Sequence, residues 1–347
     1  MMQAAVIALD VGGTAMKCAL VGPDGRVHHA ERHPTLTARG PAAVTADILD
    51  VAAGLAGKAR ADGLEVVAAG VVVPGVVDEA AGVAVWSSNV GFRDVPLRAL
   101  ITERLGVPAA LGHDVRAGGM AEARLGAGRD QRHVLFIAIG TGIAAAHVVN
   151  GTAFAGAHGA AGEVGHVIVR PGGPPCGCGA RGCLESLASA SAIGRRYAEL
   201  SGVSGVVAFD VAARAAAGEP LATAVWTEAV EALADGLLTA QALYDAGVIV
   251  LGGGLAEAGE ALLAPLRTAL HQRITFHRVP QLVRAALGDT AGCLGAALLA
   301  LDSLPATDSG PATDHPPATR RPPTTDHPPM TGSLPDPDSP PAPGSRS

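Results

Sequence analysis

Residues 5–21, AVIALDVGGTAMKCALV, and residues 133–149, HVLFIAIGTGIAAAHVV, follow one pattern and together decide the fold. Each is an apolar run, a turn of glycine and threonine, and a second apolar run. Short runs of Val, Ile, Leu and Ala bounded by glycine read as buried strands. After the first block, CALVGPDGRVHHAERH (18–33) predicts two strands joined by a Pro-Asp-Gly turn, and residues 42–61 have helical spacing. VVAAGVVVPGVVD (66–78) is a strand closed by Pro-Gly, VPAALGHD (107–114) a strand running into a polar loop, and VRAGGMAEARLGAG (115–128) a helix. Beyond the second block, GVIVLGGGLAEAG (247–259) reads as strand, triple glycine and helix. Two halves that open alike imply a duplicated α/β architecture with a cleft between two lobes.

The most specific chemistry lies in GEVGHVIVRPGGPPCGCGARGCLE (162–185). It sets His166 ahead of Cys176, Cys178 and Cys183, the donor set of a closed tetrahedral zinc site. Cysteines are also small buried hydrophobes or disulfide partners. Against that, three of the chain's five cysteines fall within eight positions, and Cys-x-Cys is poorly placed to bridge to itself. Structural zinc is therefore expected, with Glu163 and Glu185 bracketing the cluster.

Three glycine turns suggest a nucleotide. In Asp10-Val-Gly12-Gly13-Thr14, glycines let backbone N–H groups approach an anion and the threonine hydroxyl can donate to a phosphate oxygen. Asp10, at a strand end, is placed to orient a hydrated Mg²⁺, and Lys17 is one of only two lysines. Gly140-Thr141-Gly142 is a second phosphate cradle, and Gly253 and Gly254 belong to a third turn suited to pass beneath a base or ribose. Any one of these alone is a common strand connection. Neither a Walker A loop nor a dinucleotide fingerprint is present.

Composition narrows the class. A net charge of −7 disfavours a nucleic-acid-binding surface. The N-terminal run reaches Asp10 without a basic region or cleavage site, so a secretory signal is not expected. With no apolar run of about 18 residues, no membrane span is expected either, and the chain reads as cytoplasmic. From Ser303 onward the sequence is dominated by Pro, Thr, Ser and Asp with PATD/PTTDHPP repeats. Residues 303–347 are expected to be a disordered tail, the alternative being a proline-rich docking segment.

DVGGTAMK, the PG of VVVPGVVD, the Asp of GHDVRAG, AIGTG, GEVGHVIV, CGCGARGCLE and LGGGL occur in the order seen in the ROK family, which this chain resembles from residue 5 to about 300. That family comprises bacterial sugar kinases, related sugar-responsive repressors and unassigned reading frames. The resemblance implies a two-lobed, actin-like (duplicated ribonuclease H-like) α/β fold. It places the N-terminal lobe at 1–111 with a returning helix at 290–302, and the C-terminal lobe at 112–289. It implies ATP with Mg²⁺, transfer of the γ-phosphate to a sugar hydroxyl, and a homodimer. Asp114 becomes the catalytic base; Gly75, Ser88, Asn89, His113, Glu163, His166 and Glu185 become sugar-binding positions; His166 and the three cysteines become zinc ligands. A sugar hydroxyl is a poor nucleophile, so a carboxylate that accepts its proton suits the reaction. From the residues alone, Asp114 also reads as a helix N-cap.

Two departures from the family pattern stand out. His113 replaces the usual asparagine before the aspartate, which bears on which sugar is recognised. Ala144, Ala145 and Ala146 follow the second turn where further glycines are usual. The expected activity is hexose phosphorylation of the glucose type, with an N-acetylhexosamine kinase or a catalytically weak sugar-binding protein as alternatives. A repressor is disfavoured, because the first strand begins within a few residues of Met1 with no helix-turn-helix before it.

Overall fold

A computed structural model describes residues 2–305. The expectation for the tail falls almost wholly outside them. In chain order the strands are β1 (Gln3–Val11), β2 (Ala15–Val21), β3 (Val27–Pro34), β4 (Leu64–Val73), β5 (Val76–Asp78), β6 (Val83–Ser87), β7 (Phe92–Val95), β8 (Ala109–His113), β9 (His133–Ile139), β10 (Ile143–Val149), β11 (Thr152–Ala153), β12 (Val248–Gly252) and β13 (Gln281–Arg284). The helices are α1 (Pro41–Ala61), α2 (Leu97–Leu105), α3 (Asp114–Arg124), α4 (Leu184–Ala188), α5 (Ala190–Ser201), α6 (Ala208–Ala216), α7 (Pro220–Tyr244), α8 (Glu260–Arg273) and α9 (Ala291–Asp302).

The two sequence blocks seed two sheets of the same plan. The first has order β3-β2-β1-β4-β8, the second β11-β10-β9-β12-β13. In each, a three-stranded antiparallel meander is extended on its far side by two parallel strands. The strands flanking each glycine turn are the central pair, so both turns open at one end of their sheet. Continuous burial of Val6, Ile7, Ala8 and Leu9 in β1 reflects helices on both faces.

Core packing explains how the halves are joined. One face of the first sheet packs on α1 and α2 through Ile48, Leu55, Leu97 and Ile101. Its other face packs on α9 and on Ala117 and Ala121 of α3. In turn α3 meets β9 and β10 of the second sheet, around Phe136 and Ala146. The opposite face of that sheet carries α4 to α8. Thus α3 lies between the sheets and holds the site residues at its N-terminus against both.

On the third face of α3, Glu122 is completely buried, and its carboxylate accepts three backbone N–H groups: Ala127 (2.9 Å), Ala286 (3.1 Å) and Leu287 (2.8 Å). Together these bonds anchor the segment that leads into α9.

Two elements differ from expectation. The triple glycine does not open a helix directly: Gly253 has φ +79° and Gly259 φ +57°, so a 3₁₀ turn (Gly254–Ala258) intervenes before α8. The small sheet β5-β6-β7 and helix α2 were not expected at all. Among the described residues, no helix is long and apolar enough to cross a membrane.

Candidate active site

Asp10 ends the buried run of β1 and is paired in register with Lys17 on β2, whose ammonium lies 3.8 Å from its carboxylate. Lys17 also binds Asp289 (3.2 Å), which Arg32 holds from the other side (3.3 Å). Burial pushes the Asp10 carboxyl up to about 6, with Lys17 opposing the rise and the charges of Asp114 and Asp289 adding to it. Those mutual influences place Asp114 beside the first turn. Gly12 closes that turn by donating to the Ala15 carbonyl, leaving Thr14 exposed at its tip.

The second turn, Thr141-Gly142, opens between β9 and β10 with Thr141 exposed. Glu185, at the start of α4, accepts the Ile143 N–H at 2.9 Å. It sits so close beneath the turn that a Cβ on Gly142 would lie 2.5 Å from Oε2. Ser191 donates to the Thr141 carbonyl, tying α5 to the same turn. A cavity of about 600 Å³ opens there, lined by Thr141, Glu185, Ser191, Arg170 and Arg195. Gly253 and Gly254 line a smaller cavity of about 120 Å³ with Phe136, Arg284 and Asp289.

Asp114 is the first residue of α3, and the cap is His113, whose Nδ1 accepts the Arg116 N–H at 3.4 Å. The residue that N-caps the helix is therefore the histidine and not the aspartate, which leaves only one Asp114 oxygen engaged, by the Val115 N–H at 2.7 Å. Burial raises the Asp114 carboxyl above its ordinary value, while the Val115 N–H and the Arg116 charge oppose the rise. His113 is pushed down to about 4 by burial and by Arg116. It is neutral near pH 7, and with Nδ1 accepting, its proton sits on Nε2.

Gly75 turns the chain between β4 and β5, and Ser88 and Asn89 occupy the β6–β7 turn. That turn reaches the first phosphate-type turn: a Cβ on Gly13 would lie 3.1 Å from Asn89 Cβ. Glu163 precedes a 3₁₀ turn (Val164–His166) that presents His166, and its charge acts on His113. Glu163, His113, Asp114, Asp10 and Asn89 thus converge from five different elements.

The zinc segment doubles back on itself through bridges between Ile168 and Cys183 and between Pro175 and Arg181. One ligand atom each from His166, Cys176, Cys178 and Cys183 lies within 4.8 Å of the others. Two edges of that cluster are Cys178 Sγ to Cys183 Sγ, 3.7 Å, and Cys176 Sγ to His166 Nδ1, 3.6 Å. A regular tetrahedron with Zn–S of about 2.3 Å and Zn–N of about 2.1 Å has edges of about 3.8 and 3.6 Å. The donor set fits a zinc ion, and all five cysteines are free. His166 Nε2 faces away from the cluster, 3.9 Å from Glu163 Oε2.

A sequence profile of the ROK family matches residues 6–303. The chain belongs to the ROK family. Among its ROK relatives, the glucokinase of Thermotoga maritima is 32% identical over 311 residues, spanning 84% of this chain and 96% of that one. The N-acetylmannosamine kinase of Citrobacter koseri is 33% identical over 297 residues, 85% of this chain and 98% of that one. Among solved structures, the ROK hexokinase of Thermus thermophilus superposes with TM-score 0.74 at 34% identity, covering 86% of this chain and 98% of that one. A ROK glucokinase of Streptomyces griseus, solved with glucose and AMPPNP, gives 0.73 at 28% identity over 86% and 99%. The two-lobed actin-like fold expected from the sequence is the fold of this chain.

Sequence reasoning missed Asp289, Arg116, Glu79 and Glu122. All four have partners far away in the chain, and no local pattern marks them.

Proposed function

We propose that this ROK chain transfers the γ-phosphate of ATP to a hexose of the glucose type, at the 6-hydroxyl, with Asp114 as the catalytic base. The observation that carries the reading is the placement of Asp114: a half-buried carboxylate with one oxygen engaged, within electrostatic reach of Asp10 at the first glycine turn and next in the chain to His113, on which the Glu163 charge acts. The hydroxyl proton passes to Asp114 as the sugar oxygen attacks the γ-phosphorus. Burial makes Asp114 a stronger base than an exposed carboxylate, which favours that transfer near neutral pH. Glu163, Glu185 and the outward Nε2 of His166 bind sugar hydroxyls, with Gly75, Ser88 and Asn89 closing the pocket from the first lobe. His113 offers a single N–H donor where an asparagine amide would offer both a donor and an acceptor.

ATP lies with its phosphates along Gly12, Gly13, Thr14, Lys17, Thr141 and Gly142, and its adenosine toward Gly253 and Gly254. Mg²⁺ would neutralise phosphate charge when bound, with Asp10 as the group that would orient its water. The cluster of His166, Cys176, Cys178 and Cys183 holds a zinc ion whose part is structural; its contribution is to fix His166 and Glu185. We assign the first lobe to 1–111 with α9, the second to 112–289, a cytoplasmic location where ATP is supplied, and a homodimeric assembly.

The kinship to N-acetylmannosamine kinases at 33% identity supports an N-acetylhexosamine as a second substrate reading. Release of ADP across a panel of hexoses and N-acetylhexosamines, with Asp114→Asn as control, separates the two. Turnover on no sugar, or undiminished turnover in the variant, overturns the kinase assignment.

A further inference from the structure

Arg116 is 4% exposed, and a buried guanidinium persists only when its donors are matched. Here the match joins two loops from different sheets. Its Nε and Nη2 donate to Glu79 Oε1 at 3.0 and 2.8 Å, and its Nη1 donates to the Gly159 carbonyl at 2.7 Å. Glu79 follows β5 in the small sheet. Gly159 lies in the loop that leads to Glu163. The same Glu79 oxygen accepts the His113 N–H at 3.3 Å, which fixes the backbone immediately before Asp114.

The two loops touch beside the guanidinium. Gly159 has φ +71°, and a Cβ there would come within 2.8 Å of the Val77 carbonyl. A cavity of about 560 Å³ lies beside this contact, between residues 76–80 and 155–159.

Resting on the kinase reading above, we propose that Arg116 is a positioning residue of the sugar site: by clamping Glu79 to Gly159 it fixes the loop that bears Glu163 relative to Asp114. Its side chain is taken up by Glu79 and the Gly159 carbonyl, so it acts through the two loops. Its charge has a second effect. The groups facing Asp114 are Arg116 in the first turn of α3, His113 at the end of β8, Lys17 on β2 and Asp10 on β1. Of these, Arg116 and Lys17 favour the ionised carboxylate against the burial that opposes it. Removing Arg116 therefore raises the pH at which the base becomes available.

The test uses the full chain with Arg116→Met, Arg116→Lys, Glu79→Gln and the double variant Arg116→Met/Glu79→Met. Steady-state kinetics are measured in sugar and in ATP between pH 5 and 9, a window of about four units around the carboxylate limb. Arg116→Met is expected to raise the sugar KM about tenfold or more while the ATP KM stays within about twofold, since misplacing a binding group costs on this order. Its acid limb moves to higher pH. Arg116→Lys keeps the limb in place but recovers little of the KM, because an ammonium cannot serve both loops in fork geometry. The double variant removes the orphaned carboxylate and recovers stability without recovering KM.

Equal rises in both KM values, or an unmoved sugar KM with an unmoved limb, overturn the proposal. If the parent chain turns over no sugar, the kinase reading fails separately. The clamp is then decided by amide exchange, which in Arg116→Met must quicken in residues 76–80 and 155–161 together. Exchange unchanged in either loop overturns it.

Discussion

The clearest energetic prediction concerns Glu122, the buried carboxylate that accepts the N–H groups of Ala127, Ala286 and Leu287. Oε2 takes Ala127 and Ala286, and Oε1 takes Leu287. Glutamine at this position retains one oxygen. Placed where it keeps two bonds, it turns its amide NH₂ toward the Leu287 N–H, donor against donor. One buried N–H then lacks an acceptor, at a cost of about 2 kcal/mol. Alanine strips all three acceptors and leaves a cavity, about 5 kcal/mol in total. For a folded unit of this size, each kcal/mol lowers Tm by about 2 °C. Glu122→Gln should therefore melt about 4 °C and Glu122→Ala about 10 °C below the parent. Urea unfolding followed by circular dichroism checks the free energies, and an unchanged m value shows that the loss lies in the folded state. Because Ala286 and Leu287 lead to Asp289, which pairs with Lys17, the ATP KM should rise in Glu122→Gln while the sugar KM holds. A Glu122→Gln protein within about 0.5 kcal/mol of the parent would refute the reasoning, for that is the behaviour of a surface site.

Asp114→Asn should lose activity by about 10²- to 10⁴-fold, the usual worth of a positioned base, and yet unfold at higher urea. The folded pKa of Asp114 is raised, so its contribution to stability is full below the ordinary carboxylate value and is lost as pH rises through the folded value. The neutral amide escapes that loss, and a less stable variant would contradict it. In the parent, the acid limb of kcat/KM should lie above the ordinary aspartate value of about 4; a limb at or below it would show that burial does not govern the base. Elemental analysis should find about one zinc per chain, and strong chelation should weaken sugar binding in calorimetry; a metal-free chain with full affinity would remove the metal from the account. In Gly142→Ala the new methyl must displace Glu185 from the Ile143 N–H, so both KM values should rise together, and a rise in neither would show that the Glu185 contact is dispensable.

Much of this arrangement was legible in the sequence because it is local. The two strand–turn–strand blocks announced two sheets of one plan, and the His/Cys spacing announced a cluster two of whose edges match those of a tetrahedral zinc site. The small sheet was not legible. VVD, VAVWS and FRDV are too short for an alternating pattern to rise above chance. The triple glycine misled, since positive φ at Gly253 and Gly259 delays the helix by several residues. Arg116 and Glu122 sit in a helix whose alanines and charges read as an ordinary surface face. Apart from Ala127, their side-chain partners lie 37 to 165 residues away, and only packing of α3 between two sheets buries them.

Glu185 carries a consequence for binding equilibria. One of its oxygens is engaged under the Thr141–Gly142 turn, and its backbone directly follows the hairpin that bears Cys176, Cys178 and Cys183. If Glu185 binds the sugar and the turn binds nucleotide, as proposed, sharing it would make the two affinities conditional on each other. By linkage the factor is reciprocal: whatever tightening glucose imparts to ATP, ATP must impart to glucose. On that proposal, a zinc ion held by His166, Cys176, Cys178 and Cys183 would enter both constants without meeting the transferred phosphoryl group, and the synergy between the two substrates would measure how much metal the protein holds.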